Sequence, residues 1–288
     1  MIDVRVATVL FYLVTGVALV YVTWGLTLLF RQPKLLYRPV REVISSPADR
    51  NLAYEEVVFQ SSDGVRLTGW YIPAAGARFT VLFCHGNGGN IMHVLESVTL
   101  FHEMELNCLV FDYRGYGNSG GKPTEAGTYI DARAAFDWLI RVKRVHSQEI
   151  VVCGRSLGGS VASHLAAQVR PAGLAVEGAF TSFPDIGARR YPYLPVRRFA
   201  RFRYDTLAYV RAVRCPVMVV HSRDDKLVPF DQAVRLFEAA NEPKQFVEIA
   251  GGHSDAFLRS ADQYREAWTT WLDSLGNNEP QPAGQRMS

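Results

Sequence analysis

Ile150-Val151-Val152-Cys153-Gly154-Arg155-Ser156-Leu157-Gly158-Gly159 is the stretch on which the fold turns. Its first four residues are apolar and mostly β-branched, as in a strand covered on both faces, and Leu157 to Gln168 reads as a helix. Between them stands a Gly-x-Ser-x-Gly pattern. Alone, that pattern occurs in any glycine-rich turn. Held between a strand and a helix, its small residues permit a sharp bend that projects Ser156 Oγ at the end of a sheet. Ser156 is therefore the expected nucleophile, with a plain turn as the alternative.

The same alternation continues on both sides. Extended runs are expected at Glu55 to Gln60 and Val65 to Ile72, separated by Ser-Ser-Asp-Gly and able to pair antiparallel. Further apolar runs follow at Thr80 to Cys84, Cys108 to Phe111, Leu174 to Val176, Val217 to Val220 and Phe246 to Ile249. Helices are expected at Ile91 to Met104, Glu125 to Val142, Pro229 to Ala240 and Asp255 to Leu275. In the second of these, Ile130, Ala134, Asp137 and Trp138 mark an incomplete apolar stripe. The alternation predicts an α/β fold with a mostly parallel sheet covered by helices.

A serine hydroxyl becomes a strong nucleophile only when a base takes its proton and a carboxylate orients that base. His253, in Gly251-Gly252-His253-Ser254, follows the last expected strand and is the expected base. Asp225, in Asp224-Asp225-Lys226-Leu227-Val228-Pro229, follows the preceding strand and is the expected acid, with Asp224 as the competing choice. The other histidines His146, His164 and His221 have no comparable placement and read as structural or solvent-exposed. Attack on a carbonyl also requires backbone donors for the developing oxyanion. Leu157 N–H is one expected donor. Asn87 N–H, within His85-Gly86-Asn87-Gly88-Gly89-Asn90, is the other.

That glycine cluster lacks both phosphate-binding spacings, G-x-G-x-x-G and G-x-x-x-x-G-K-[ST], so a nucleotide cofactor is not expected. The segment Asp112-Tyr113-Arg114-Gly115-Tyr116-Gly117-Asn118-Ser119 reads as a loop bracing the same sheet edge; Ser119 has no strand-to-helix elbow around it. Cys84, Cys108, Cys153 and Cys215 lie in or beside apolar runs as buried free thiols and lack the paired spacing of a zinc site. A net charge of +3 without a long lysine tract gives no sign of a nucleic-acid partner.

Residues 6 to 30 carry no formal charge and are bracketed by Arg5 and Arg31. As a helix they extend about 37 Å, enough to cross a hydrocarbon layer of about 30 Å. A cleaved signal peptide is the chief rival, but the apolar run exceeds the usual core and no small-x-small site follows it. The expected organisation is an anchor at 1–31, a proline-containing connector at 32–53, one domain at 54–275 and a tail at 276–288 that need not be ordered. Arg31, Lys34, Arg38 and Arg41 after the helix, against Arg5 before it, place the domain on the cytoplasmic side.

The segment 180–213 interrupts the alternation with Pro184, Pro192 and Pro195, six Tyr or Phe positions from Phe183 to Tyr204 inclusive, and six arginines between 189 and 203. It reads as a small cap of short helices, either an ordinary basic cap or one facing lipid.

The H-G-N-x-G-N segment from His85, the D-Y-R-G-Y-G-x-S segment from Asp112, the Ser156 elbow and the N-terminal apolar helix together resemble the α/β-hydrolase superfamily. Within it they resemble the membrane-anchored bem46-type proteins, over roughly residues 54 to 275. The resemblance implies an eight-stranded, mainly parallel sheet with an antiparallel exception among its first strands, and no metal or organic cofactor. It carries the nucleophile, acid and base roles onto Ser156, Asp225 and His253. It further implies a serine hydrolase acting on an ester or thioester, a class that includes esterases, lipid hydrolases and depalmitoylating thioesterases. Arg155, beside the nucleophile, is a candidate for setting substrate charge. An amide hydrolase and an inactive membrane interaction protein of the same fold are the competing readings. Protein partners are not legible.

Overall fold

The structure, a computed structural model, describes residues 4–276; apart from Gly276, the tail read at 276–288 lies outside the described residues, as do positions 1–3. Eight strands form one sheet: β1 Glu55–Gln60, β2 Arg66–Ile72, β3 Thr80–Cys84, β4 Asn107–Asp112, β5 Ile150–Arg155, β6 Gly173–Glu177, β7 Val217–Ser222 and β8 Lys244–Ile249. Their spatial order is β8-β7-β6-β5-β3-β4-β2-β1. Only β2 runs against its neighbours, pairing antiparallel with both β1 and β4; the remaining pairs are parallel. The expected antiparallel exception is thus the second strand.

Ten α-helices accompany the sheet: α1 Val4–Leu36, α2 Leu95–Glu103, α3 Glu125–Arg141, α4 Leu157–Val169, α5 Phe183–Arg190, α6 Val196–Phe199, α7 Thr206–Ala212, α8 Phe230–Ala239, α9 Ala256–Arg259 and α10 Ala261–Gly276, counted among the described residues. The two sheet faces carry separate cores. On one, Leu82, Val152 and Val219 pack with Ala135, Val161, Val210 and Leu236 from α3, α4, α7 and α8. On the other, Val81, Val151 and Met218 pack with Phe101, Phe257 and Trp268 from α2, α9 and α10. Alternate residues of one strand point to opposite faces, so double coverage makes the central strands continuously apolar.

Four expectations need correction. The helix expected from Ile91 begins as a 3-10 turn over Ile91–Val94, because the Asn90 side chain accepts the Met92 N–H and tightens the first turn. The closing helix is two helices, α9 and α10, parted at Ser260, whose Oγ accepts the Ala250 N–H and ties the break to the end of β8. In α3 the buried face is Thr128, Asp131, Ala132, Ala135, Phe136 and Leu139, whereas Ile130, Ala134, Asp137 and Trp138 are half-buried. Asp131 was invisible as a core position because a carboxylate enters a core only when paired. It meets Arg114 at 2.8 Å, and Arg114 also grips Asp63 at 2.7 Å.

The fourth correction concerns α1, which continues to Leu36, well into the stretch read as connector. Pro33 lies inside it, and the two polar ends of the Gln32 side chain hold the Phe199 carbonyl at 3.2 Å and the Arg201 N–H at 2.8 Å. Leu36 and Tyr37 are buried, and Asn87 Nδ2 donates to the Leu36 carbonyl at 2.7 Å. Tertiary partners therefore extend the helix past its apolar run. Every residue from Val4 to Trp24 is exposed.

Candidate active site

Ser156 sits between β5 and α4 with φ 56° and ψ −119°, a strained conformation for a side chain bearing Cβ. Its neighbours explain how the bend is tolerated. A Cβ on Gly154 would lie 2.1 Å from the Gly158 carbonyl oxygen, and one on Gly158 would lie 2.0 Å from that of Cys84. Ser156 N–H donates to the Glu177 carbonyl at 2.8 Å, so β6 holds the turn.

His253 reaches this turn from the loop after β8. Its Nε2 lies 3.0 Å from Ser156 Oγ and its Nδ1 2.6 Å from Asp225 Oδ2. The other Asp225 oxygen accepts the N–H groups of Leu227 and Val228, each at 2.8 Å. Burial opposes ionisation of Asp225, but the hydrogen bonds from His253, Val228 and Leu227 outweigh it and hold the carboxyl below its ordinary range. An ionised Asp225 can only accept, so Nδ1 carries the proton and the Nε2 lone pair faces the Ser156 hydroxyl. Asp224 is exposed and accepts the Gly251 N–H at 3.3 Å, which leaves Asp225 as the acid that meets His253.

Asn87 and Leu157 flank the serine. A Cβ on Gly86 would stand 3.7 Å from Ser156 Cβ, which brings the His85–Asn90 loop beside Ser156. Neither the Asn87 nor the Leu157 N–H has a hydrogen-bond partner among the described residues, whereas the rest of Asn87 is tightly held. Its carbonyl accepts from Arg38 N–H at 3.0 Å and from Tyr116 OH at 2.8 Å. Tyr113 OH donates to the His85 carbonyl at 3.1 Å, so the Asp112–Ser119 segment braces this loop. Ser119 is buried, donating to the Asp112 carbonyl at 2.7 Å and accepting the Thr68 N–H at 3.0 Å.

Two features escaped the linear reading. Arg155 is paired within the fold: its guanidinium reaches Glu177 at 2.7 Å and Ser97 at 2.8 Å, and its central carbon stands 3.7 Å from the Phe257 ring centroid. Its charge is neutralised by Glu177 behind the elbow, contrary to the expectation that it sets substrate charge. Only the partner Glu177, at the end of the neighbouring strand, could have signalled this. The second feature is the link from Leu36 to Asn87 already described, which no local pattern encodes.

Behind the Asn87 loop, Asp112 and His85 are both fully buried, 3.9 Å apart. Burial pushes Asp112 up to about 7, against the Ile91 N–H and Arg41, and pushes His85 down to about 4. An unfolded Asp titrates near 3.9, so between roughly pH 4 and 7 the folded state holds a proton that the unfolded chain has lost. The stability that Asp112 alone contributes is present below about pH 4 and disappears as pH rises through about 7, on the order of 4 kcal/mol. Asp112→Asn keeps an acceptor for Ile91 and is expected to remove that fall, leaving the rise in stability between about pH 4 and 6.5 that the depressed His85 contributes. Thermal unfolding of both proteins in detergent across this pH range tests it; parallel profiles would refute the burial argument.

The strand order, the single antiparallel strand and a serine elbow at the carboxyl edge define an α/β hydrolase. The chain belongs to that family: residues 81–209 match the family model described as "Alpha/beta hydrolase family". It is 34% identical over 278 residues to the α/β hydrolase domain-containing protein WAV2 of Arabidopsis thaliana, covering 87% of this chain and 89% of that one. Protein bem46 of Schizosaccharomyces pombe is 32% identical over 247 residues, 80% of this chain and 83% of its own. Among solved structures, an esterase of Pyrococcus furiosus superposes with a TM-score of 0.69 over 83% of this chain and 98% of its own, at 23% identity, a likeness of fold.

Proposed function

We propose that the protein is a serine hydrolase that cleaves carboxylic esters or thioesters through an acyl-enzyme, held at a membrane by α1. The observation that carries this reading is the continuous contact from Asp225 through His253 to Ser156 Oγ, with distances of 2.6 and 3.0 Å. The name esterase borne by the Pyrococcus protein of like fold is in keeping with it.

In the proposed cycle His253 Nε2 takes the Ser156 proton as Oγ bonds to the carbonyl carbon. The oxyanion is met by the Asn87 and Leu157 N–H groups. The carbon-to-leaving-group bond then breaks, and the leaving alcohol or thiol departs with the proton from His253. Water next gives a proton to His253 and its oxygen to the acyl carbon; the bond from that carbon to Oγ then breaks, His253 returns the proton to Oγ, and the acid leaves with Ser156 restored. Asp225 stays ionised throughout and stabilises the imidazolium.

Asp225→Asn would leave packing nearly unchanged but remove the charge and favour the wrong imidazole tautomer. We expect kcat to fall about 10⁴-fold with little change in KM. Matched ester, thioester and amide substrates of varied chain length measure this and also rank the chemistries. A variant retaining wild-type turnover would sink the assignment of Asp225.

For α1, the reading as a retained single-pass anchor is supported by its 33-residue length, by the exposure of its apolar half and by the docking of its last turn on Asn87. Signal cleavage within the helix would discard those contacts. The excess of Arg and Lys after it favours a cytoplasmic domain.

A further inference from the structure

The cap does more than cover the domain: it runs along α1. Tyr21 OH donates to the Tyr193 carbonyl at 2.5 Å, the Trp24 and Tyr191 rings meet edge-on with centroids 6.1 Å apart, and a Cβ on Gly25 would stand 3.6 Å from Leu194. At 1.5 Å per residue, Tyr21 and Gly25 lie about 26 and 32 Å from Val4 along the helix axis. A bilayer core is about 30 Å thick. The cap therefore grips α1 at the depth where hydrocarbon gives way to headgroups, and four aromatic residues gather there as interfacial anchors do.

The same end of the cap carries unneutralised charge. Arg189 pairs with Asp231 and Arg197 with Asp185, but Arg190, Arg198, Arg201 and Arg203 are exposed and make no ion pair among the described residues. Arg31 and Lys34 of α1 are likewise exposed and unpaired among the described residues. Between these cations, Tyr193 is 83% exposed and Phe199 52% exposed. The cap is no loose flap: Glu125 accepts the Arg203 and Tyr204 N–H groups at 2.7 and 2.6 Å, and Tyr204 OH meets Tyr37 OH at 2.7 Å. Beyond Gly25 the helix advances only about 17 Å to Leu36, whose carbonyl touches Asn87 at the carboxyl edge of the sheet.

We propose that this cap is a second membrane-contacting surface, binding anionic phospholipid headgroups through its unpaired arginines with Tyr193 and Phe199 entering the interface. It thereby turns the Ser156 edge toward the bilayer. The site then meets amphiphiles presented by the membrane, their acyl groups lying within a short reach of Asn87 and Ser156. This rests on the anchor reading of α1, and in its choice of substrate on the hydrolase reading.

The test uses the full chain in nanodiscs of phosphatidylcholine with or without phosphatidylserine. Hydrogen exchange over residues 190–203 should slow in the anionic discs and lose that dependence in R190Q/R198Q/R201Q/R203Q. Turnover of a disc-embedded acyl ester should fall roughly tenfold in the variant on anionic discs, while turnover of a short soluble ester stays at the wild-type value and certifies the fold. Equal exchange in the two disc types, or an embedded-ester rate indifferent to the arginines, overturns the proposal. The exchange footprint does not require chemistry at Ser156, so failure of the serine hydrolase reading would appear separately, as absent turnover on both esters. Failure of the anchor reading would appear as a chain that does not remain in the discs.

Discussion

Ser156→Ala is expected to abolish labelling by a fluorophosphonate and to lower turnover of the best ester or thioester about a millionfold. The size follows from what is lost: without Oγ no acyl-enzyme forms, and His253 and Asp225 have no nucleophile to serve. Structure should survive, because alanine keeps the Cβ that the position already tolerates at φ 56°. The donors at Asn87 and Leu157 would remain, so a small residual rate above water is consistent with the proposal. Competitive labelling followed by peptide mapping reads the result directly. Undiminished labelling of the alanine variant, or a labelled peptide lacking position 156, would defeat the assignment of the nucleophile.

Gly158→Ala should be the most damaging substitution to the fold at this site, costing about 3 kcal/mol or more. Its new Cβ would stand 2.0 Å from the Cys84 oxygen and 2.6 Å from the His85 oxygen. Both are backbone atoms at the end of β3, so relief requires moving the strand or the loop that carries Asn87. Loss of stability and loss of probe labelling should therefore appear together. Gly16→Ala is the contrast, since nothing lies within 4 Å of a Cβ there, and it should leave unfolding unchanged. Thermal unfolding in detergent separates the two; a Gly158→Ala protein as stable as wild type would show that the elbow has room the structure does not reveal.

Much of the site was legible because its parts sit at sheet ends, and a sheet end is a local event. An apolar run stops, small or polar residues follow, and the chain turns. That logic picked out Ser156, Asp225 and His253 from separate loops, and the fold brings them within hydrogen-bond reach. It failed where burial depends on a distant partner. Nothing in the local pattern marked Asp131 as the buried partner of Arg114, and Arg155, a candidate for setting substrate charge, has its guanidinium taken by Glu177 and Phe257. Hydropathy along the chain cannot price a carboxylate whose counter-charge lies elsewhere in sequence.

The alternation of apolar strands with helices, the glycines around Ser156 and the long uncharged run near the N-terminus are properties of neighbouring residues, and the sequence alone determined them. Strand order, the length of α1 and the grip of the cap on Tyr21 and Trp24 were decided only by tertiary structure. The reason is physical. Periodicity and turn chemistry act over a few residues, whereas a hydrogen bond such as Asn87 Nδ2 to the Leu36 carbonyl exists only after chain segments 51 positions apart have packed.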